Sequence, residues 1–350
     1  MATIPQTQTV AWVDTPQPGA QLRIRDDVPV PSIGEGEVLV KLEYTGFCHS
    51  DVHNILGDLP MSTHIPGHEG VGVVVSVGPG VSSDMLGKRV GIKWTFRACK
   101  KCGVCEYAYV HCPNQDNSGR NVPGTFQQYI AAPADFVSPI PDNLDPAATA
   151  PLLCAGVTMI GALKKLDNLC KKGDSVVIVG AGGGLGHLGL QIGRAMGYRM
   201  IAIDSGKKKD LCLRSGASEF VDFTAPEPEK QVKALTGGIG APAVVVVVGN
   251  GAGYNLGLQL LRPQGALVCV GLPPLDYKIS LTPLTYVNSG YHILGSAVGT
   301  EDEVQELFKM AAEGRVSTHY EVYDFKRVNE ALEKLVRYEV DGRVVLKIPQ

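Results

Sequence analysis

Three things are scarce in this chain of 350 residues, and each scarcity closes off a class of function. Long apolar runs are missing: no stretch of eighteen consecutive apolar residues occurs, so no membrane span is expected. Charge of one sign is missing too. Lys plus Arg number 32 against 35 for Asp plus Glu, a net charge of -3, which leaves no electrostatic footprint for nucleic acid or an anionic membrane surface. The N-terminal stretch from Met1 to Pro18 lacks a basic segment running into an apolar core, and it lacks an Arg-rich amphipathic pattern. A secretory or transit leader is therefore not expected, and a cytoplasmic location is. Internal repeats and low-complexity tracts are absent, and Pro226 to Lys230 is only a short polar loop.

What is present is a hydrophobic fraction of 44%, enough for sizeable cores, and 42 glycines, which suit tight turns and backbone that must approach a ligand closely. The length accommodates two domains of ordinary size. In a reducing compartment the nine cysteines read as metal ligands or free thiols rather than disulfides.

One of these cysteines opens the most informative stretch, Cys48 to Glu69. It opens Cys48-His49-Ser50-Asp51-Val52-His53 and closes Gly67-His68-Glu69-Gly70. A thiolate with an imidazole is the ligand set that selects zinc, and Asp51 and Glu69 can serve as partners that orient the ligands and tune the metal's charge. Cys154, in Leu153-Cys154-Ala155, is the best candidate for a third ligand. Two thiolates and one histidine leave the fourth position of the ion open, as catalysis requires. Taken singly, Cys48 and Cys154 could be small buried hydrophobes and His68 a satisfied core histidine; the flanking carboxylates argue for the metal.

Up to about residue 155 the chain shows short strands punctuated by turns: Gly36 to Tyr44, Gly70 to Val77, Arg89 to Trp94 and Phe126 to Ile130. Such spacing predicts an antiparallel barrel or sandwich. Within it lies Cys99-x2-Cys102-x2-Cys105-x6-Cys112, four thiols that read as a closed, structural zinc site, with His111 as an alternative last ligand. From about Lys171 strands alternate with helices. Ser175 to Val179 runs into Gly180-Ala181-Gly182-Gly183-Gly184-Leu185-Gly186 and a helix to Met196. The spacing Gly180-x-x-Gly183-x-x-Gly186, between a strand and a helix, predicts a dinucleotide loop whose amides meet a pyrophosphate. Asp204 ends the strand from Arg199 to Ile203, where a carboxylate binds the adenosine ribose and favours NAD over NADP. Lys207, Lys208 and Lys209 follow, either as a cluster that welcomes a phosphate or as a solvated helix start. Further strands at Glu219 to Val221, Ala243 to Val248, Ala266 to Gly271 and His292 to Gly295 complete a doubly wound parallel sheet. Glu301 to Ala312 and Asn329 to Tyr338 read as amphipathic helices, and Arg343 to Ile348 as a last strand.

Gly67-His68-Glu69-Gly70-Val71-Gly72 resembles the signature of zinc-dependent alcohol dehydrogenases of the medium-chain family, and Cys48-His49-Ser50-Asp51-x-His53 resembles its microbial, tetrameric branch. With the cysteine cluster and glycine loop, the resemblance covers nearly the whole chain. It implies an α/β protein: a mainly β GroES-like catalytic domain over residues 1–157 and 300–350, and an NAD-binding Rossmann domain over 158–299. It implies NAD, two zinc ions per chain and a homotetramer, with reversible oxidation of a small primary or secondary alcohol. A zinc-containing aldehyde reductase or polyol dehydrogenase is the alternative within the family. A zinc-free quinone reductase or lens-type structural protein is the alternative outside it, opposed by both cysteine clusters. Ser50 and His53 become a proton relay from substrate oxygen through the cofactor ribose to water, although spacing alone leaves His53 equally a surface residue. His49 takes the place of a cofactor-phosphate contact, Gly184 and Leu185 belong to the cofactor loop, and Lys209 contacts the adenosine ribose. Arg343 reaches the pyrophosphate, while on sequence alone it could lie at the surface. Trp94 walls the alcohol pocket, and Leu59 stands where ethanol-active members often have a second Trp, which implies a roomier pocket. The family's last cysteine gap is usually one residue longer than here, which leaves open how Cys112 closes its site.

Overall fold

The computed structural model describes residues 4–350, and they divide into two compact units. The first runs to Cys154 and takes up Thr300–Ala312 and Thr318–Gln350 again; the second comprises Ala155–Gly299 with Glu313–Ser317. The first junction thus falls at Cys154 rather than after residue 157, and a short piece after Ala312 joins the second unit. That piece is held by the Gln191 side chain, which accepts from the Ser317 amide and donates to its carbonyl, each at 2.9 Å.

The first unit is built on Glu37–Phe47, an eleven-residue strand whose Val, Leu and Phe side chains are buried. It anchors a seven-stranded sheet in the order Tyr320–Asp324, Arg343–Lys347, Glu37–Phe47, Gly70–Val77, Arg89–Ile92, Ser138–Pro139. Tyr129–Pro133 pairs with the first half of the long strand, and Arg343–Lys347 with its second half. Only the pair Tyr320–Asp324 and Arg343–Lys347 is parallel. The hydrogen-bonded strands form one mainly antiparallel sheet with two small ribbons, the short-stranded antiparallel architecture that strand spacing suggested. Two strand ends differ from expectation. Phe126 plugs the core edge-on to Phe47 at 4.9 Å and precedes its strand, and Trp94 lies beyond the end of Arg89–Ile92. The C-terminal strand matters most for the site, because pairing Val344 with Phe47 sets Arg343 beside Cys48.

The second unit is a six-stranded sheet in the order Glu219–Asp222, Arg199–Asp204, Ser175–Val179, Ala241–Val246, Leu261–Cys269, His292–Gly295, parallel throughout. This is the doubly wound arrangement expected. All six residues of Ala241–Val246 are buried, as a strand covered on both faces demands. The strand stops at Val246 instead of Val248; Val248 packs against Gly180, and the Val247 amide is spent on the Val179 carbonyl. No single helix among the described residues is long and apolar enough to cross a membrane.

Candidate metal centre and cofactor loop

Cys48 follows directly on the long strand and caps the helix His49–Ile55. Asp51, fully buried at the third helical position, accepts from the Cys48 amide at 3.0 Å. Its other oxygen accepts from the Gly67 amide at 3.0 Å and from His68 Nδ1 at 2.9 Å. One carboxylate thereby closes the helix, ties down the loop at residue 67 and fixes the His68 tautomer. Nε2 is left to face Cys154 Sγ at 3.3 Å, while Cys154 Sγ lies 3.9 Å from Cys48 Sγ. A tetrahedral zinc with Zn–S near 2.3 Å has ligand edges of about 3.5–3.8 Å, so the trio is spaced for that ion.

Ligand atoms of Cys48, His68, Glu69 and Cys154 lie within 4.8 Å of one another, all buried. Glu69 accepts from Arg343 through one oxygen, and its second oxygen has no partner. A buried orphan oxygen beside three soft ligands is what a cation would satisfy. The protonation pattern agrees. The Cys154 thiol, the Arg343 charge and His68 hold the Cys48 thiol far below its ordinary value, whereas Cys154 is pushed well up by Cys48 and by burial. With no dication the pocket tolerates one thiolate; a dication stabilises both. Burial pushes Glu69 up to about 7 against the pull of Arg343. The Glu69 carboxylate fits only because Gly46 has no side chain: a Cβ there would sit 1.8 Å from its oxygen. The residues fit zinc.

Around this centre, Trp94 stands edge-on to the His68 ring at 5.2 Å. Ser50 Oγ lies 3.7 Å from Cys48 Sγ. His53, half-buried, pairs through Nδ1 with Asp58 at 2.9 Å. His49 lies between His53, at 5.6 Å, and Tyr338, at 4.7 Å, and burial lowers its pKa. Leu59 is half-buried and donates its amide to the His53 carbonyl. Arg343 is buried on Glu69 with Nη1 3.9 Å from Cys48 Sγ, so it is not the surface residue that sequence left open. Sequence reasoning passed over three residues. Asp58 was signalled only by its turn after the helix, and Tyr338 by nothing local. Lys93 is buried, bound to the Phe136 carbonyl and Ser138 at 2.8 Å and to Glu301 at 2.6 Å, and so fastens the backbone that carries Trp94.

The second cluster gathers Cys99, Cys102, Cys105 and Cys112, with neighbouring sulfurs 3.5–3.9 Å apart, and His111 is not in the group. Four thiols with no carboxylate or histidine suit a closed zinc site. A tight turn, Tyr109–His111, precedes Cys112 and delivers it to the group.

In the second unit, Gly180 has φ of +91°, and a Cβ on Gly186 would fall 2.3 Å from the Gly180 carbonyl. Only glycine lets the strand Ser175–Val179 turn into the helix Gly186–Met196 this closely. Gly183 and Leu185 are half-exposed on the loop, as is Gly184. Asp204 accepts from the Gly182 amide at 2.8 Å, which places its carboxylate against the loop. Lys208, not Lys209, reaches the loop, with Nζ 3.4 Å from the Gly182 carbonyl, while Lys209 is exposed. The cradle and its carboxylate fit a dinucleotide with free ribose hydroxyls.

Family comparisons match this geometry. Residues 34–142 match the alcohol dehydrogenase GroES-like domain, and residues 184–313 the zinc-binding dehydrogenase domain. Alcohol dehydrogenase 2 of Emericella nidulans is 40% identical over 99% of this chain and 98% of its own. An alcohol dehydrogenase of Geobacillus stearothermophilus is 41% identical over 93% and 95%. Among solved structures, acetophenone reductase from Geotrichum candidum in complex with NAD superposes with a TM-score of 0.86 at 28% identity, covering 99% of this chain and 98% of that one. The chain belongs to the zinc-dependent medium-chain alcohol dehydrogenase family.

Proposed function

We propose that this chain reversibly oxidises small primary or secondary alcohols to aldehydes or ketones, with NAD as hydride acceptor. The observation that carries the reading is the buried trio Cys48, His68 and Cys154, spaced for one zinc and flanked by Trp94. When bound, zinc supplies Lewis acidity that lowers the hydroxyl pKa, and NAD accepts the hydride. The protein's part is to hold the donors, exclude water and remove a proton. Asp51, accepting from Nδ1, orients the His68 ring so that Nε2 faces the metal position. Ser50, beside Cys48, takes the hydroxyl proton, and His53 passes it to solvent, with Asp58 accepting from Nδ1 to orient the ring. His49 meets the cofactor's phosphates, as does Arg343 in this reading, and Asp204 accepts from the ribose hydroxyls. His53→Gln should depress alcohol oxidation most at neutral and lower pH, with added small bases restoring part of it; an unchanged pH–rate profile removes His53 from the relay.

The pocket supports a preference broader than ethanol. In this reading Trp94 narrows one side of the alcohol pocket, and Leu59, smaller than an indole, widens the other. A methylene in an apolar pocket is worth about 1–3 kcal/mol, so a ring-sized change reorders a substrate series. With NAD in an alcohol series, activity should extend from ethanol to propanol and butanol. Leu59→Trp should cut kcat/KM for butanol by about 10-fold or more while ethanol changes little; equal loss of both removes Leu59 from the pocket. Assembly as a homotetramer in the cytoplasm belongs to the same proposal, and light scattering of the purified protein tests the stoichiometry.

A further inference from the structure

Tyr338 is the least expected residue in the first unit. Its backbone is left-handed, with φ of +56°, a conformation that costs a side-chain-bearing residue free energy and that glycine takes readily. It sits just past the end of the helix Val328–Val336, where its amide donates to the Leu335 carbonyl. Glycine is the residue best suited to that place. Strain of this kind is ordinarily offset by packing, yet Tyr338 is 71% exposed and lies outside the apolar core. Among the described residues, the one close contact its ring makes with another ring is a stack on His49, centroids 4.7 Å apart and planes 23° from parallel. The far neighbour of His49 is the His53 ring, edge-on at 5.6 Å. The imidazole is thus braced by two rings at the head of the helix His49–Ile55, which packs on Val328–Val336.

A strained, exposed aromatic that covers one histidine next to a metal ligand has a positional meaning. We propose that Tyr338 is a positioning residue for cofactor binding: its left-handed backbone lays the phenol ring flat on His49 and holds the imidazole ready for the anionic phosphates of NAD. The proposal rests on the reading of His49 as a phosphate contact. The physical gain is preorganisation. An imidazole already confined to one orientation loses little further freedom when it donates to an anion, and a ring face that excludes water strengthens that bond. The backbone between the helix and Arg343 carries a second left-handed residue, Gly342, at φ of +76°. A Cβ there would lie 2.2 Å from the His319 carbonyl, so the segment that holds Tyr338 is pinned at its other end.

A stack that serves binding and a strain that opposes folding have opposite signatures in one variant. In the zinc-loaded enzyme, Tyr338→Gly and Tyr338→Asn both tolerate the left-handed backbone and lack the ring. NADH Kd, read from nicotinamide fluorescence, should weaken roughly 3- to 10-fold in both, the range expected for freeing one side chain. KM for NAD should rise in step and KM for the alcohol should not. The Tm of Tyr338→Gly should stay level or rise by about 2–4 °C. Tyr338→Phe, with ring and strain both kept, should bind NADH within about twofold of wild type. His49→Ala should weaken NADH binding at least as much as Tyr338→Gly, and the double variant should add nothing further. Unchanged Kd in Tyr338→Gly, or full additivity with His49→Ala, overturns the role of Tyr338 while the reading of His49 stands. Unchanged Kd in His49→Ala overturns the reading of His49 and the proposal with it.

Discussion

Replacing Cys154 by Ser should remove one of two zinc ions per chain and nearly all activity, with the fold intact. The serine hydroxyl is smaller than the thiol, stays protonated and is too hard a donor for this site, so the trio loses its third ligand. Changes to residues that merely support a metal ligand already cost about 10–100-fold, so loss of a ligand should exceed 10³-fold in kcat/KM. Tm should move little, because Cys154 lies at the close of a turn whose packing partners Leu152 and Leu153 remain buried. Cys102→Ser should give the complementary result: the other ion lost, activity per folded molecule largely kept, and a Tm lower by about 5–10 °C. The lobe around the four cysteines has a minimal apolar core, with Ala98, Cys112 and Phe136 as its buried members. Metal therefore contributes most of its order. Elemental analysis decides the matter. One ion or none in wild-type protein purified without chelator would remove the two-site assignment.

The second large effect is expected at Arg343. Arg343→Met leaves Glu69 with both oxygens unpaired in a site where it has no exposed surface. Removing one partner of a buried ion pair costs about 3–5 kcal/mol, because the remaining charge is stranded. The first unit should therefore melt roughly 6–15 °C lower. Glu69→Gln in the same chain removes the stranded charge and should recover about 1–2 kcal/mol. Thermal unfolding of both single variants and the double variant measures that coupling. Strict additivity would mean that the Arg343–Glu69 pair contributes nothing as a pair. Zinc content belongs in the same experiment. Arg343 Nη1 lies 3.9 Å from Cys48 Sγ, so loss of its charge raises the cost of the thiolate and should weaken the catalytic ion's retention in a chelator competition.

The chemistry of this protein was legible locally because it depends on residue type at short spacing. Thiol and imidazole beside carboxylates name a soft metal; four clustered thiols name a second; glycines between a β-branched strand and a helix name a phosphate cradle. Ser175–Val179, the helix ending at Met196, His292–Gly295 and Glu301–Ala312 were readable for the same reason, since hydrophobic period and glycine punctuation act within one turn or strand. Tertiary structure decided what links distant positions. Arg343 meets Glu69 from 274 residues away because the last strand pairs with the one that carries Cys48. The turn before Cys112 brings its sulfur, and not the His111 ring, into the group with Cys99, Cys102 and Cys105. Asp51 became cap, loop anchor and histidine orienter at once only when Gly67 and His68 were folded onto it. Tyr338 read as the end of a helix, yet the chain bends left-handed there and its ring lies on His49. Residue type thus determines which atoms can bind a metal, a phosphate or a proton. Strand pairing and burial determine which charges face one another, because a pairing energy between residues hundreds of positions apart leaves no periodicity in the chain.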